Sequence, residues 1–456
     1  MTIFSKFERK NQLILIFLIG ILISSFYAIY NLNKFDKNEG NSHLMVRGDI
    51  NLIWKEAESF KKDIIETKSF FGNGIEYTRT FLPSKLIAIY SIITNQDLYE
   101  DYENEIIKIN GKMFYLLFQI LFYYLCLLFL YKRLLYFYDD KNLIFYIIAF
   151  LALDPNILQW HGTFWTESIF ISFQILLIGM TIKSNKTNLF CLCLGLFLGL
   201  VFLQKTVGIF FIFFIALYIF FSEQKNYKLK IVNIFLGFAI ILTLLGYDNY
   251  KKTGIFYVMP LQTKGAHYRY LIVQIYNKKN ELKLIDQLQK SEEEWKVKNN
   301  YSEDNFQSRY DLGNFQQKKA IKIILNNKII TMQIYLKKII HHAVLNPFQT
   351  FYWHKYNQKD YYGIEFHLSK ESKKYFIFKI FYSLIFYIIL FVGIFSFIKK
   401  RNKLDFHLLI FFLVLYLVFM LGWVGNSRYF IPSVVFLSIF FGHGLNYFNK
   451  LRYKKS

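Results

Sequence analysis

Long uncharged apolar runs govern what this chain can fold into. A run of about 17–20 such residues, wound as a helix, crosses a bilayer core of about 30 Å. In hydrocarbon only a helix or a closed barrel satisfies its own backbone polar groups. Runs of this kind stand near 13–30, 112–131, 142–155, 164–182, 188–204, 206–222, 230–247, 376–398, 405–424 and 428–447. The expected fold class is therefore an all-α membrane protein with about ten transmembrane helices. Composition agrees: 54% of the residues are apolar, 20% aromatic and only 19% charged, against about 45–50% apolar and about 25% charged in soluble chains. Collagen-like, disordered and disulfide-scaffold classes are excluded. The first run follows a basic start, MTIFSKFERKN, and no small-residue cleavage site follows it, so it reads as an uncleaved span.

The net charge of +23 would point to nucleic acid in a soluble protein. Here its distribution points to membrane orientation instead. YKRLLYFYDDKN (131–142), KSNK (183–186), SEQKNYKLK (222–230), KKRNK (399–403) and the tail KLRYKKS are basic, whereas the alternate short segments carry only Lys205 and Arg428. By the positive-inside rule both termini are cytoplasmic. Two long polar loops, 32–111 and 248–375, then share the outer face. The expected organisation is a membrane module over 1–247 (seven spans and the first outer loop), an outer loop domain over 248–375, and three further spans over 376–456. There is no internal repeat and no pair of broken helices of the transporter kind. The three cysteines, Cys126, Cys191 and Cys193, lie in apolar runs and form no disulfide or metal pattern.

Polar residues gather at the outer ends of these runs. In VRGDINLIWKEAESF, a helical reading puts Ile53, Trp54 and Ala57 on one apolar stripe lying on the membrane surface. Asp49 then starts the helix, either as its cap or as a chemical group. The apolar stretch 81–93, FLPSKLIAIYSII, is too short to span and reads as an interfacial or re-entrant helix started by Pro83. Arg79 precedes it, as a snorkelling anchor or a phosphate clamp. In ALDPNILQWHGTFWTESIF, Asp154–Pro155 ends one span and Glu167 opens the next. An ionisable residue at that depth is costly and points to function. His161 in the same turn, Lys205 between two spans, and Asn249, Lys264 and Arg269 in GYDNYKKTGIFYVMPLQTKGAHYRY complete the set, with Arg428 near the last span. Asn249, Gly254 and Gly265 read as tight turns. Gly195 and Gly199 form a GxxxG packing motif. His341, His342 and His367 lack zinc-like spacing, so no metal site is read.

Taken in order, these pieces resemble the polytopic GT-C glycosyltransferases, in particular bacterial proteins similar to protein O-mannosyltransferases and lipid A aminoarabinose transferases. Gly48–Asp49 with Trp54 and Ala57 resembles the family's first-loop motif. Arg79-Thr-Phe-Leu-Pro83 answers an RPPGYP-like segment, and Pro155 to Glu167 the P…E turn. Asp248-Asn249-Tyr250 through Gly254 and Gly265 is similar to the RNY…G segment, Asn346–Pro347 to a late NP, and Arg428-Tyr429 with Pro432 to the closing RY..P. Three features depart: Gln204-Lys205-Thr206 stands where the family has Arg-Pro, Asp248 where it has Arg, and of the RPPGYP prolines only Pro83 is present.

The resemblance implies a membrane enzyme of the bacterial inner membrane with its site facing outward. It would move a sugar from a polyprenyl-phosphate-linked donor to an outer acceptor (glycan, lipid or protein), with inversion. An acceptor hydroxyl needs a carboxylate general base: Asp49, with Glu167 opposite. The departing phosphate needs cations: Arg79, Lys205, Lys264 and Arg428. Asn249, Arg269 and His161 would bind substrate. No cofactor is required, though some relatives use a divalent metal. A flippase for lipid-linked saccharides would share the groove and basic face, and an O-antigen polymerase or ligase the large outer loop; the latter types lack an Asp just after the first span. The topology is checkable with reporter fusions. Those near residues 100 and 300 should read as outside, and those near 137, 226, 401 and 456 as cytoplasmic; a cytoplasmic reading at 300 would refute the proposed face.

Overall fold

In a computed structural model of the chain, residues 9–36, 49–68, 81–95, 109–182, 186–223, 226–279, 281–345, 347, 373–400, 403–422 and 430–454 are described. Every regular element among them is helical. The first half comprises α1 (Arg9–Asp36), α2 (Asp49–Thr67), α3 (Phe81–Thr94), α4 (Ile109–Phe137), α5 (Lys141–Leu153), α6 (Pro155–His161), α7 (Glu167–Thr181), α8 (Asn188–Gln204), a 3₁₀ turn (Thr206–Phe210), α9 (Phe211–Ser222) and α10 (Tyr227–Thr253). A helical segment between membrane helices follows: α11 (Leu261–His267), a π turn (Tyr268–Ile272), α12 (Val273–Lys278), α13 (Leu282–Lys298), α14 (Phe306–Asn326) and α15 (Lys328–Ala343). The chain closes with α16 (Lys373–Lys400), α17 (Leu404–Gly422) and α18 (Ile431–Lys454).

The protein is an all-α multi-pass membrane protein. Among the described residues five helices are long and apolar enough to cross a bilayer, or six if the bent pair α5–α6 is one span. The other apolar segments fold as shorter helices: α3, α7, α8, the 3₁₀ turn with α9, and most of α17. Apolar residues on one face of α1, such as Leu18, Leu22, Phe26 and Ile29, stay exposed, as lipid-facing side chains must.

Two helix crossings show how sequence sets the packing. A Cβ on Gly195 would collide with the carbonyl oxygen of Ile234, and one on Gly237 with that of Leu192, so α8 and α10 meet backbone to backbone. Gly393 on α16 and Gly444 on α18 do the same at the carbonyls of Phe440 and Ile389. The GxxxG of α8 is thus a packing device.

Several elements differ from the sequence expectation for identifiable reasons. Residues 155–161 are helical rather than a turn, because Pro155 suits a first helical turn and Asp154 caps it, accepting from the backbone N–H of Asn156 (2.8 Å) and Ile157 (3.3 Å). The pair α5–α6 bends by 49° at that point. Helix α3 begins at Phe81, which places Pro83 inside its first turn, where an N–H has no intrahelical partner anyway. Asn249 and Gly265 lie within helices, while Gly254 does terminate α10 at φ 72°.

At one end of the bundle Asp140 caps α5 and accepts from Asn446 (2.8 Å) and Lys450 on α18. There too Lys186 and Lys230 hold Glu223 between α8, α9 and α10. In the α11–α15 segment Tyr268, Leu271, Ile272 and Ile275 form a small core with Leu288, Ala320 and Ile334. Burial pushes the Tyr268 hydroxyl up to about 12, so it remains a donor, bonded to the Leu288 carbonyl at 3.1 Å. Gly195→Val should therefore force α8 and α10 apart, costing about 1–3 kcal/mol as overpacking does. Thermal unfolding in detergent would show it, and an unchanged midpoint would mean the crossing tolerates a side chain.

Candidate functional site

The residues singled out at the ends of the apolar runs fall into three groups. The first surrounds the break between α6 and α7. Glu167 is the first residue of α7 and only 1% exposed, and its Oε1 accepts from Lys205 Nζ at 3.0 Å. Thr166 Oγ1 donates to its Oε2 at 3.4 Å, and Gln204 Nε2 donates to the Thr166 carbonyl at 3.0 Å. Lys205 also lies 5.6 Å from the Phe170 ring centroid. A carboxylate at a helix N-terminus is favoured by the aligned peptide dipoles. Two oppositely charged groups withdrawn from water hold each other firmly, because neither can be removed without stranding its partner.

The backbone of this break is buried and accepts hydrogen bonds from neighbouring helices. Asn31 on α1 donates to the Gly162 carbonyl (2.8 Å), and Gln119 on α4 to that of Thr163 (3.1 Å). A Cβ on Gly162 would come within 2.6 Å of the Ala28 backbone nitrogen, so only glycine allows this approach. His161 sits beneath the break, fully buried. Its Nδ1 is 2.8 Å from Ser168 Oγ, and its ring centroid lies 4.0 Å from that of Tyr123. It is placed in the packing under the loop rather than on the loop surface.

The second group lies on α2 and α3. Asp49 is the first residue of α2, as the sequence implied, and Ile53, Trp54, Ala57 and Phe60 form its buried stripe. Trp54 meets Phe164 edge-on at 5.1 Å, Phe164 stacks on Tyr115 at 5.6 Å, and Lys112 Nζ lies 5.6 Å from the Trp54 ring. Phe164 is three residues from Glu167, so the starts of α2 and α7 share one end of the bundle.

Sequence reasoning missed the charged residues buried beside this contact. Lys85 on α3 is fully buried, 4.2 Å from the Phe60 ring centroid, and lies within the fields of Asp248 and Asp63. Ser84 donates to Glu56 at 2.9 Å. The available signal was a single lysine inside the apolar run 81–93, a costly placement by itself.

The third group joins α10 to the α11–α15 segment. Asn249 Nδ2 donates to the Tyr257 carbonyl at 2.6 Å. The Tyr257 ring stacks on Phe306 at 5.0 Å and neighbours Tyr310. Lys264 caps the chain of contacts: its Nζ lies 3.2 Å from the Tyr310 ring centroid and donates to Asn314 Oδ1 at 2.8 Å. The structure thus brings Asn249 and Lys264 together through Tyr257 and Tyr310, apart from the Glu167–Lys205 pair. Arg269 lies in the π turn, with its side chain outside the described set. Arg79, Arg428, Asn346 and His367 lie outside the described residues. Among the described residues no group of three or more His, Cys, Asp or Glu is placed to hold a metal ion.

No family model and no curated protein matches the sequence. Solved structures do match its fold. The oligosaccharyltransferase of Archaeoglobus fulgidus in its apo form aligns over 100% of this chain with a TM-score of 0.51 and 13% identity. The archaeal oligosaccharyltransferase AglB of the same organism, in complex with an inhibitory peptide and a dolichol-phosphate, aligns over 98% with a TM-score of 0.50 and 14% identity. The fold is of the GT-C type. The chain spans about half the length of these structures, 51–52% of each.

The buried ion pair makes a stability prediction. Lys205→Met strands the Glu167 carboxylate and should cost about 3–5 kcal/mol, whereas the double variant Glu167→Gln/Lys205→Met should recover most of it. Thermal unfolding of purified protein decides; equal midpoints for the single variant and the parent would mean the pair is solvated.

Proposed function

We propose that this chain is a membrane glycosyltransferase. It transfers a sugar from a polyprenyl-phosphate-linked donor to an acceptor hydroxyl on the extracytoplasmic side. The observation that carries this reading is the GT-C fold with two carboxylate-headed helices, α2 at Asp49 and α7 at Glu167, opening at one end of the bundle. The solved structures of similar fold are oligosaccharyltransferases, and one holds a dolichol-phosphate and an inhibitory peptide, which supports a lipid-phosphate donor here.

In the proposed reaction the acceptor oxygen attacks the anomeric carbon. Its proton passes to the Asp49 carboxylate, and the bond from that carbon to the phosphate oxygen breaks with inversion. The departing polyprenyl phosphate gains negative charge, which fixed cations stabilise in a site of low dielectric. Lys205 suits that task because Glu167 holds it in place, and Arg79 and Arg428 are the further donors by resemblance. Lys264, engaged by Tyr310 and Asn314, would serve the outer segment and the acceptor side.

Asp49→Asn is the direct test. Asn caps a helix about as well as Asp, so a capping role alone leaves stability and activity near normal. Asn takes no proton, so a general base predicts normal insertion with sugar transfer reduced by at least about 100-fold. Glu167→Gln should give a smaller but clear loss. Transfer is measured in membranes at matched protein levels, and an Asp49→Asn protein with normal transfer would refute the assignment.

A further inference from the structure

Helix α15 belongs to the polar segment between α10 and α16, yet it carries an apolar face that no element among the described residues covers. Ile329, Met332, Leu336 and Ile340 are 75%, 64%, 50% and 68% exposed and recur at three- and four-residue spacing, along one narrow stripe. Ile321 and Leu325 continue exposed apolar surface onto the last turns of α14. Lys328 and Lys337, both exposed, flank the stripe on either side of the helix. That arrangement belongs to helices whose apolar face is buried in acyl chains while lysines reach back to the headgroups.

The contacts of α15 fix its depth independently. Tyr335 Oη donates to the carbonyl of Phe419, near the end of α17. Eight residues later, the Ala343 carbonyl accepts from Tyr387 Oη at 2.6 Å, and the Leu345 N–H donates to Ser383 Oγ at 3.0 Å. Both partners lie on α16 within its apolar stretch Phe376–Ile398. At about 1.5 Å rise per residue they are about 10–17 Å past the start of that stretch. The chain therefore descends along α15 from the end of one apolar helix to the middle of another. The face of α17 beside it, with Leu408, Phe412 and Phe419, is also exposed and apolar, so the two surfaces are continuous. Tyr416 on α17 donates to the Val207 carbonyl at 2.6 Å, which puts this region at the same end of the bundle as Lys205.

We infer that α15 is a membrane-inserted helix. Its Ile329–Ile340 stripe sits among the acyl chains of the leaflet at the Glu167–Lys205 end, with Lys328 and Lys337 at anionic headgroups. The outer segment would then be fastened to the bilayer surface next to the site, independently of what reaction the site performs.

The test uses the full chain with its three cysteines replaced, one copy per nanodisc of phosphatidylcholine and phosphatidylglycerol. Spin labels go on Met332→Cys and Leu336→Cys, with Lys298→Cys and Glu303→Cys as exposed controls in the same segment. Relaxation is read with oxygen, which concentrates in lipid, and with a water-soluble nickel chelate. The expected result is strong oxygen and weak nickel relaxation at 332 and 336, reversed at 298 and 303. Nickel access at 332 and 336 equal to the controls would overturn the inference. So would protection from both reagents, because that is what a covering polypeptide produces.

Discussion

Everything in this fold depends on the rule that a chain in hydrocarbon must satisfy its own backbone. A break between helices at membrane depth exposes N–H and C=O groups that lipid cannot bond. The α6–α7 break, residues 162–166, is built around that demand. Asp154 takes the orphan donors at the start of α6, Asn31 and Gln119 reach in from α1 and α4 to carbonyls of the break, and Thr163 Oγ1 donates to the Trp160 carbonyl at 2.9 Å. Tyr382 on α16 donates to the second Asp154 oxygen at 2.6 Å. These bonds tie the break to α1, α4 and α16. Glu167 and Lys205 meet at the end of a segment held in this way.

The same logic divides the molecule's charges. At the opposite end they tie helices together: Asp140 joins α5 to α18, and Glu223 joins Lys186 to Lys230. At the Glu167 end they are buried among aromatic rings, Lys85 beside Phe60 and Phe81, Lys112 beside Trp54, Lys205 beside Phe170. A cation against a ring face keeps favourable electrostatics without water. Buried charge occurs at both ends, since Lys186 is also buried, beside Tyr218, and charge withdrawn from water interacts more strongly than charge in it.

Much of this was legible in the sequence, for physical reasons that can be named. Helix α2 was readable because Ile53, Trp54 and Ala57 repeat at helical spacing, and its start at Asp49 because Asp favours helix starts. The Gly195–Gly199 crossing was readable because small residues four apart have few other uses in an apolar helix. What stayed hidden is tertiary. Nothing local says that Lys205 reaches Glu167, 38 residues away in the chain, or that His161 turns inward under Tyr123. Helix α6 was read as a turn because Pro155 punctuates a sequence both by ending helices and by starting them. The apolar stripe of α15 escaped notice because the lysines beside it lower the average hydrophobicity of the segment.

The pairing of Glu167 with Lys205 also bears on how two carboxylates would divide their work. A carboxylate that accepts a proton loses its charge, and if a cation touches it, that cation is left without a counter-ion in a medium that penalises it. With Lys205 Nζ at 3.0 Å, Glu167 is better suited to positioning than to proton transfer. Asp248, on α10, acts on Lys85 of α3 through its field rather than through a contact of this kind. In the proposed reaction the proton acceptor is then Asp49, the first residue of α2.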